Sequence, residues 1–396
     1  MERIRLGELV KGNGLFKDGD WIESKDQDLN GEVKLIQLAD IGIRNFINKS
    51  NRFMNYEKAL ELKCTFLEKG DILIARMPDP IGRCCEFPFE EVNKYVTVVD
   101  IAIFRNKNND LDNRYLVHYI NSESFLNKVS SGVTGTTRQR ISRKKLEAIE
   151  IPLPSLDQQK AIAAKLDKAD EIRRLNQQLI DKYDALTQSL FIDMFGDPVK
   201  NEMGWEKVKL GDLCGVGSSK RVFVEELKEN GIPFYRGTEV GALGNDEMIN
   251  PTLFISEHHY HKLKKDSGIP QVGDLLMPSI CPDGRIFEVK NNDPFYFKDG
   301  RVLWVKVNQT KINSTFLKKN LKANFAKNYS KIASGTTFAE LKIFALKDLI
   351  ISNPPISLQN QFAERIAVIE AQKQFTQDAL AKSEALFNSL LQESFS

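Results

Sequence analysis

Two long stretches of the chain repeat their apolar positions with the period of an α-helix. Residues 155–195 and 357–395 contain no glycine or proline and are rich in alanine, leucine, glutamine, lysine and glutamate, which are strong helix formers. In both stretches apolar side chains recur at alternating steps of three and four residues. Each stretch therefore predicts one continuous helix of about 40 residues, roughly 60 Å long.

The apolar positions of each stretch form a narrow seam, which requires a partner helix. Asn176 interrupts the first seam, and a polar residue of this kind commonly fixes the register of two paired helices. Because the predicted helices are alike in length, they can pair antiparallel and hold two globules at opposite ends; the alternative is that each packs separately on its own domain. The seam residues are Ile162, Ala169, Ile172, Asn176, Leu179, Tyr183, Leu186 and Leu190 in the first helix, and Phe362, Ile366, Ile369, Leu380, Phe387 and Leu390 in the second.

Other apolar residues of the first helix fall outside this seam. If the seam is covered by the partner helix, they form a second apolar strip that is exposed. An exposed strip of this kind normally marks an interface with another protein. The residues of this predicted partner-binding strip are Leu156, Leu166, Leu175, Phe191 and Phe195.

The segments that precede the two helices have the pattern of compact α+β globules. Residues 95–104 and 301–307 read as β-strands, and glycine and proline separate them from their neighbours. Short motifs recur in the same order about 200 residues apart, which indicates a tandem duplication. The matches are Leu6-Gly7-Glu8-Leu9 with Leu210-Gly211-Asp212-Leu213, Gly70-Asp71-Ile72-Leu73 with Gly273-Asp274-Leu275-Leu276, Gly82-Arg83 with Gly284-Arg285, Gly135-Thr136-Thr137 with Gly335-Thr336-Thr337, and Ser155-Leu156 with Ser357-Leu358.

The predicted fold class is therefore α+β, with two similar α/β globules separated by two long antiparallel coiled-coil helices. The first globule covers residues 1–150 and the first long helix residues 151–197. The second globule covers residues 198–352, and the C-terminal helix residues 353–396.

Composition and charge narrow the class of protein. The chain has 396 residues with 56 Lys and Arg against 54 Asp and Glu, so any nucleic-acid binding depends on local basic patches. Five cysteines without a Cys-x-x-Cys motif favour neither a disulfide framework nor a zinc site, and we expect a reducing cytoplasm. No signal peptide and no run of 18 apolar residues is found, so we expect no export and no membrane partner. The histidines of residues 258–261 lack acidic or cysteine partners at ligand spacing, and no metal site is predicted.

The order of globule, long helix, globule and long helix, together with three motifs, resembles the specificity subunit of type I restriction-modification systems. The motifs are Gly-Asp-Ile-Leu, the Gly-Thr-Thr turn and the sequence IPLPSLDQQ at residues 151–159. The resemblance covers essentially the whole chain. It implies that each globule is a target-recognition domain for one half of a bipartite, gapped site in double-stranded DNA.

The same resemblance implies the partners. The long helices would set the spacing between the half-sites and dock two modification subunits, through which restriction subunits join the complex. The modification subunits would bring S-adenosylmethionine and the chemistry. This chain would then be non-catalytic and would need no cofactor of its own.

Asn353-Pro354-Pro355 suggests an alternative, because Asn-Pro-Pro followed by an aromatic residue is typical of adenine methyltransferases. Here Ile356 occupies the fourth place, where an aromatic ring would stack on the flipped base. Neither Gly-x-Gly sequence, at residues 12–14 and 215–217, continues to a third glycine. We therefore interpret the motif as the rigid entry to a helix, equivalent to residues 151–154 with a two-residue insertion. The alternatives left open are an N6-adenine DNA methyltransferase and an architectural coiled-coil DNA-binding protein.

Basic residues in loops are the candidates for DNA contact. The stretch TTRQRISRKK at residues 136–145 combines basic and hydroxyl side chains, which suits phosphate contacts. The second copy has Phe338-Ala339-Glu340 in place of Arg138-Gln139-Arg140, so the basic turn is not shared. A solvated surface is the alternative for every one of these residues. The predicted DNA-binding residues are Arg76, Arg83, Thr136, Thr137, Arg138, Gln139, Arg140, Lys144, Arg285, Thr336 and Thr337.

Overall fold

A computed structural model describes residues 3–135, 138–335 and 339–395. The chain divides into two compact units: unit 1 comprises residues 1–178 and 377–396, and unit 2 comprises residues 179–376. Each unit contains one α+β globule together with about half of each long helix. The predicted contact residues Thr136, Thr137, Thr336 and Thr337 lie outside the described residues. Among the described residues no helix is long and apolar enough to cross a membrane.

Unit 1 is built from short strands and helices. Its strands are β1 (Arg3–Arg5), β2 (Leu15–Asp18), β3 (Val33–Ile36), β4 (Phe53–Met54), β5 (Ile72–Ala75), β6 (Cys84–Glu86), β7 (Tyr95–Thr97), β8 (Ile101–Arg105) and β9 (Glu150–Pro152). The helices of its globule are α1 (Tyr56–Glu61), α2 (Asn113–Ile120), α3 (Glu123–Gly132) and α4 (Arg143–Glu147), and the first long helix is α5 (Leu156–Phe195). Short 3₁₀ turns cover Leu6–Glu8, Ser24–Asp26 and Leu38–Asp40.

Unit 2 repeats this arrangement. Its strands are β10 (Lys207–Lys209), β11 (Cys214–Gly217), β12 (Ile232–Tyr235), β13 (Phe254–Ile255), β14 (Leu275–Pro278), β15 (Phe287–Glu288), β16 (Tyr296–Phe297), β17 (Val302–Val307), β18 (Ala333–Ser334), β19 (Glu340–Leu341) and β20 (Ile350–Ser352). Its helices are α6 (Leu210–Leu213), α7 (Gly237–Gly244), α8 (Glu257–Ser267), α9 (Ser314–Ile332), α10 (Ile343–Lys347) and the second long helix α11 (Ile356–Phe395), with a 3₁₀ turn at Val224–Glu226.

The sheets of the two units have the same topology. An antiparallel four-stranded sheet has the order β2-β8-β5-β6 in unit 1 and β11-β17-β14-β15 in unit 2. A three-stranded sheet has the order β4-β3-β7 in unit 1 and β13-β12-β16 in unit 2, and in each the last pair is parallel. The predicted tandem repeat of two α+β globules is thus confirmed.

One of the two inner strands of each four-stranded sheet, β5 in unit 1 and β14 in unit 2, is apolar throughout because both of its faces are covered. Along β5, Ile72 and Ile74 enter a core shared with helices α2, α3 and α5, whereas Leu73 and Ala75 enter a second core with residues of β3 and β8. Side chains alternate between faces along a strand, so one strand serves two cores. Full burial of each Ile or Leu contributes roughly 1.5–3 kcal/mol.

The aspartate of the repeated Gly-Asp motif stabilises the turn before this strand. In unit 1 Arg105 donates two hydrogen bonds of 2.7 Å to the carboxylate of Asp71, and the backbone N–H of Glu68 donates a third. In unit 2 Asp274 accepts from the indole N–H of Trp304 in place of the arginine and, as in unit 1, from the backbone N–H three residues earlier, that of Gln271. The aspartate keeps its place in both units, although its strand partner differs.

The first turn of each long helix contains a buried glutamine that joins the helix to its globule. Gln159 accepts a hydrogen bond from the backbone N–H of Asp112 and donates to the carbonyl of Pro154. Gln359 accepts from the N–H of Asn313 and donates to the carbonyl of Pro354 in the same way. The helix starts are therefore 200 residues apart, and the predicted two-residue insertion is wrong.

Within each unit the halves of the two long helices run antiparallel. In unit 1 the Nζ of Lys165 lies 3.4 Å from the carboxylate of Glu393, and further along Asn176 donates a hydrogen bond to Ser383. In unit 2 Lys373 pairs with Asp184 at 2.6 Å, and the rings of Phe191 and Phe362 pack edge to face at 5.7 Å. The two predicted helices of 40 residues are confirmed.

The structure corrects part of the predicted seam. Ile172, Leu179 and Leu186 are exposed, and the column that is buried lies one residue later, at positions that include Ile180 and Thr187. One residue rotates a helix by about 100°, and the buried column carries polar residues that an apolar pattern overlooks. Of the other seam positions, Phe362, Ile366 and Phe387 are buried, and Ile162, Ala169, Asn176, Tyr183, Leu190, Ile369, Leu380 and Leu390 are buried or half-buried.

The predicted exposed strip on α5 is also corrected. Leu166 belongs to the core of unit 1, and Phe191 and Phe195 belong to the core of unit 2. These three side chains fill the junction between globule and helix, so they are unavailable to another protein. Leu156 is half-buried, and Leu175 is exposed as predicted.

Candidate nucleic-acid interface

One end of the four-stranded sheet in unit 1 gathers most of the predicted DNA-contact residues. Strand β2 ends at Asp18, β5 ends at Ala75 and β8 begins at Ile101, and because these strands are antiparallel the three points lie at the same end of the sheet. The turn that follows Gly135 joins this end through a backbone hydrogen bond of 3.1 Å from Ile141 to Arg76.

Arg76 holds this end of the sheet together from inside. Its guanidinium is buried and donates to the carbonyls of Ile141 at 3.0 Å and Val99 at 3.1 Å, and it also pairs with Asp18. Burial lowers the pKa of this guanidinium, although arginine stays charged at neutral pH. The structure favours a structural role for Arg76 over the predicted contact with DNA.

Arg83 is likewise occupied by the protein. Its guanidinium is buried and donates to four carbonyls, among them those of Ile41 at 2.8 Å, Leu38 at 2.9 Å and Pro80 at 3.1 Å. These bonds tie the loop after β5 to the neighbouring segment. A base edge would have to displace them, so the structure favours a structural role for this residue as well.

Among the described residues of this turn, two side chains are exposed to solvent and one is half-buried. Gly135 has a φ of +98°, and a Cβ there would lie 2.3 Å from the carbonyl oxygen of Arg138, so the turn requires glycine. Arg138 and Gln139 are exposed, whereas Arg140 is half-buried and pairs with Asp100 at 3.0 Å. The Arg140 guanidinium also donates to the carbonyl of Val99.

Lys144 extends the basic surface of the turn. It is exposed on the short helix α4, whose N-terminus is capped by the hydroxyl of Ser142. Of the six candidates in residues 136–144, the structure thus leaves Arg138, Gln139 and Lys144 free of ion pairs among the described residues, and it commits Arg140 to an internal one.

Unit 2 builds the same end of the sheet with different side chains. Leu341 donates a backbone hydrogen bond of 2.7 Å to Ser279, as Ile141 does to Arg76. Buried Tyr329 replaces the arginine as the internal tie, since its hydroxyl lies 3.2 Å from the carbonyl oxygen of Ser279 and 3.1 Å from that of Ala339 and shares its one proton between them. The equivalence shows that Ser279 stands where unit 1 has Arg76.

Arg285, the predicted partner of Arg83 in the second copy, is placed differently. It is half-buried and pairs with Asp283 at 2.8 Å, next to Gly241 and Gly244 in the C-terminal half of α7. The four carbonyls that hold Arg83 have no counterpart around Arg285 among the hydrogen bonds of the described residues.

The Asn-Pro-Pro sequence leads into α11, as expected for a helix entry. Asn353 accepts a side-chain hydrogen bond from Gln359 at 3.0 Å, and its backbone N–H donates to Glu206. These bonds, together with buried Pro354, fix the first turn of the helix. Within the described ranges no group of three His, Cys, Asp or Glu side chains is arranged to hold a metal ion.

Exposed apolar residues lie at repeat-related places on the long helices. In unit 1 they are Ile172, Leu175 and Leu386, and in unit 2 they are Leu179, Leu186, Ile192, Val368 and Phe375. Leu175 and Phe375 are 200 residues apart, as are Leu186 and Leu386. Each unit therefore exposes one residue from each pair.

A family model also matches the chain twice. The model of the type I restriction modification DNA specificity domain matches residues 1–182 and again residues 202–383. The two matches cover most of both units and agree with the repeat seen in the sheets.

Curated relatives agree with this match. A Haemophilus influenzae protein that carries the name of a type I restriction enzyme specificity subunit is 29% identical over 278 residues, which are 68% of this chain and 66% of the relative. The type I restriction enzyme MjaVIII specificity subunit of Methanocaldococcus jannaschii is 27% identical over 286 residues, which are 67% of this chain and 65% of the relative. The aligned part spans just under two thirds of the length of each relative.

Two solved structures share the fold. The S subunit of a type I restriction-modification system from M. genitalium has a TM-score of 0.62 at 16% identity, covering 100% of this chain and 96% of that one. A structure that was solved to explain complex assembly and conformational transition of the type I R-M system has a TM-score of 0.56 at 16% identity. The match covers 100% of this chain and 97% of that one.

Proposed function

Since the chain belongs to the type I restriction modification DNA specificity domain family, we propose that it is the DNA-recognition subunit of a type I restriction-modification complex. Each globule reads one half of a bipartite, gapped site in double-stranded DNA. The observation that carries this proposal is the duplicated end of the sheet, where the same backbone bond holds a turn in both units although the side chains differ. Equivalent frames with different surfaces suit the reading of two different half-sites.

The long helices supply the second part of the proposal. Helices α5 and α11 each have 40 residues and run through both units, so we propose that they set the gap between the half-sites. Two modification subunits dock on the exposed apolar positions, one on each unit, and restriction subunits join through them. The repeat-related pairs Leu175 with Phe375 and Leu186 with Leu386 support two equivalent docking surfaces.

The chain itself is proposed to be non-catalytic. Asn353 is engaged by Gln359 at the helix entry, and Ile356 begins α11 in place of an aromatic residue. S-adenosylmethionine and the transfer of the methyl group are therefore assigned to the modification subunits. An N6-adenine methyltransferase and an architectural coiled-coil protein are not favoured.

The test is to map methylated adenines genome-wide in cells that carry the gene, intact and disrupted. We expect disruption to remove methylation from one motif with two defined halves and an unspecified gap. Replacing residues 1–150 by the corresponding segment of a relative should change one half of the motif and leave the other half unchanged.

A matched control distinguishes the proposed recognition subunit from an N6-adenine methyltransferase. Asn353→Ala removes the side chain that a methyltransferase would need, and we expect it to leave the methylated motif unchanged. Loss of methylation with this variant in a folded chain would favour the enzyme. Methylation that survives disruption of the gene would contradict the proposed function.

A further inference from the structure

Unit 2 lacks a basic turn at the place where unit 1 has one. Residues 138–140 of unit 1 carry two arginines, whereas the corresponding turn of unit 2 ends at Glu340. Binding to duplex DNA nevertheless requires cations close to the phosphates in each half-site. The cations of unit 2 must therefore come from other segments.

Backbone hydrogen bonds identify the equivalent positions without reference to side chains. Arg76 donates to the carbonyl of Asp100 at 2.9 Å, and Ser279 donates to that of Arg301 at 2.9 Å. Asp100 and Arg301 therefore occupy the same place before β8 and β17. By the same criterion, Arg140 and Glu340 are equivalent, because each precedes the residue that donates to Arg76 or Ser279.

The ion pair at this place is reversed between the units. In unit 1 the turn carries the cation, Arg140, and the sheet carries the anion, Asp100, at 3.0 Å. In unit 2 the sheet carries the cation, Arg301, and the turn carries the anion, Glu340, at 3.8 Å. The cationic side has moved from the turn to the loop between β16 and β17.

Arg301 is the freer of the two arginines. Its side chain is 67% exposed, against 35% for Arg140. Glu340 is shared with Lys342, whose Nζ lies 2.6 Å from the carboxylate. This hydrogen bond lowers the pKa of Glu340, so that its single negative charge faces two cations at neutral pH.

The same loop holds a second group with an excess of positive charge. Asp299 accepts from Arg221 at 3.2 Å, and the Nζ of Lys298 lies 3.7 Å away. Four cations thus face two carboxylates, an excess of two positive charges. We call Arg221, Lys298, Arg301 and Lys342 the basic cluster of unit 2.

We propose that the basic cluster of unit 2 binds the phosphate backbone of the DNA half-site that unit 2 reads. The assignment rests on the proposed function, and it deepens that function by naming the contact residues that the turn of unit 2 does not supply. Arg301 and Lys342 are the principal contacts, because both face a single carboxylate and keep much of their side chains in solvent.

The test measures DNA binding by the full chain to a duplex of random sequence, about 40 base pairs long, between roughly 50 and 200 mM salt. Arg301→Ala with Lys342→Ala should lower the slope of log K against log salt by up to about 1.8, or about 0.9 for each lost phosphate contact. The control is Lys306→Ala with Lys311→Ala, which removes the same charge at the opposite end of β17. The control should leave the slope close to that of the unchanged chain.

A second variant predicts a gain of binding, which general damage to the fold cannot produce. Glu340→Gln removes the anion that holds Arg301 and Lys342 and should tighten binding at about 50 mM salt, with a slope steeper by up to about 0.9. Weaker or unchanged binding by this variant would overturn the assignment.

The outcomes separate this assignment from the proposed function. Normal binding by the unchanged chain, together with an unaltered slope in the Arg301 and Lys342 double variant, would overturn the assignment alone. Absence of DNA binding by the unchanged chain, together with no motif lost on gene disruption, would overturn the proposed function and the assignment together. Equal losses in the double variant and in its control would show a general charge effect and would also overturn the assignment.

Discussion

Replacing Arg138 and Lys144 together with alanine should flatten the salt dependence of DNA binding by up to about 1.8 units of log K against log salt. Both side chains are exposed, Arg138 on the turn of unit 1 and Lys144 on the adjoining helix α4, and neither forms an ion pair among the described residues. Each is therefore free to displace a counterion from one phosphate. The loss of two such contacts is the expected effect.

The magnitude depends on what the structure says about Arg140. The sequence alone suggests three phosphate contacts from this stretch and a change of up to about 2.7 units. Arg140 is committed to Asp100 and to the carbonyl of Val99, which leaves two. Between roughly 50 and 200 mM salt, a change of about 1.8 units makes the fall in affinity about 12-fold smaller than that of the unchanged chain.

The assay is a titration of a labelled duplex with the full chain at several salt concentrations, read by fluorescence anisotropy. The matched control is Lys69→Ala with Lys107→Ala. Lys69 precedes β5 and Lys107 follows β8, so both lie at the other end of the antiparallel sheet. The control removes the same charge and should leave the slope nearly unchanged.

Two results would refute the reasoning. An unchanged slope in the Arg138 and Lys144 variant would show that the turn faces solvent and not DNA. A loss in Arg140→Ala alone as large as that of the double variant would show that the pair with Asp100 opens when DNA binds. In the second case the internal role given to Arg140 would be wrong.

Three further predictions concern assembly and stability. Leu175→Asp with Phe375→Asp should abolish assembly with the modification subunits but leave the chain folded, because these side chains are 46% and 72% exposed. Size-exclusion chromatography tests assembly and circular dichroism tests folding, with Arg174→Asp and Lys382→Asp as the control. Phe387→Ala should lower the free energy of unfolding by about 3–5 kcal/mol in calorimetry, because this buried ring packs under the guanidinium of Arg44 at 4.5 Å. Burial lowers the pKa of His118, and its Nδ1 has no hydrogen-bond partner in the described part of the chain. Unit 1 should therefore lose stability as the pH falls below about 6.5, and His118→Gln should reduce that loss.

The sign of the last effect follows from proton binding. The unfolded chain binds a proton to this histidine more readily than the folded chain, so stability rises with pH through the window below about 6.5 and is lost as the pH falls. The neutral ring of His118 donates a hydrogen bond from Nε2 to the carboxylate of Asp167 at 2.8 Å, and the folded state keeps this hydrogen bond at neutral pH. A stability curve that is flat between about pH 7 and pH 5 would contradict this role.

The sequence by itself determined the repeat and the two long helices. Each run of about 40 residues lacks glycine and proline and is rich in strong helix formers, so local preferences favour a helix along its whole length. The Gly-Asp motif is predictable for a similar reason. Asp71 and Asp274 each accept a backbone N–H bond from three residues earlier, so the need for an aspartate is local.

Only the tertiary structure decided which face of each helix is buried. Ile172 and Leu179 are as apolar as Ile180, and the columns differ by a rotation of about 100°. The globules decide between them, because Leu166 and Phe191 must point into the cores of unit 1 and unit 2. That requirement comes from residues far away in the chain, which no local period can express.

The tertiary structure also decided which arginines are held inside the protein and which are available to DNA. Arg76 and Arg138 look equally suited to DNA in the sequence, yet the carbonyl that holds Arg76 belongs to Ile141, 65 residues later. The basic cluster of unit 2 likewise joins residue 221, residues 298 and 301 of one loop, and residue 342, which are three segments remote from one another in the chain. A charge is internal or available according to the partners that folding brings to it, and those partners are set by contacts between segments that are remote in the sequence.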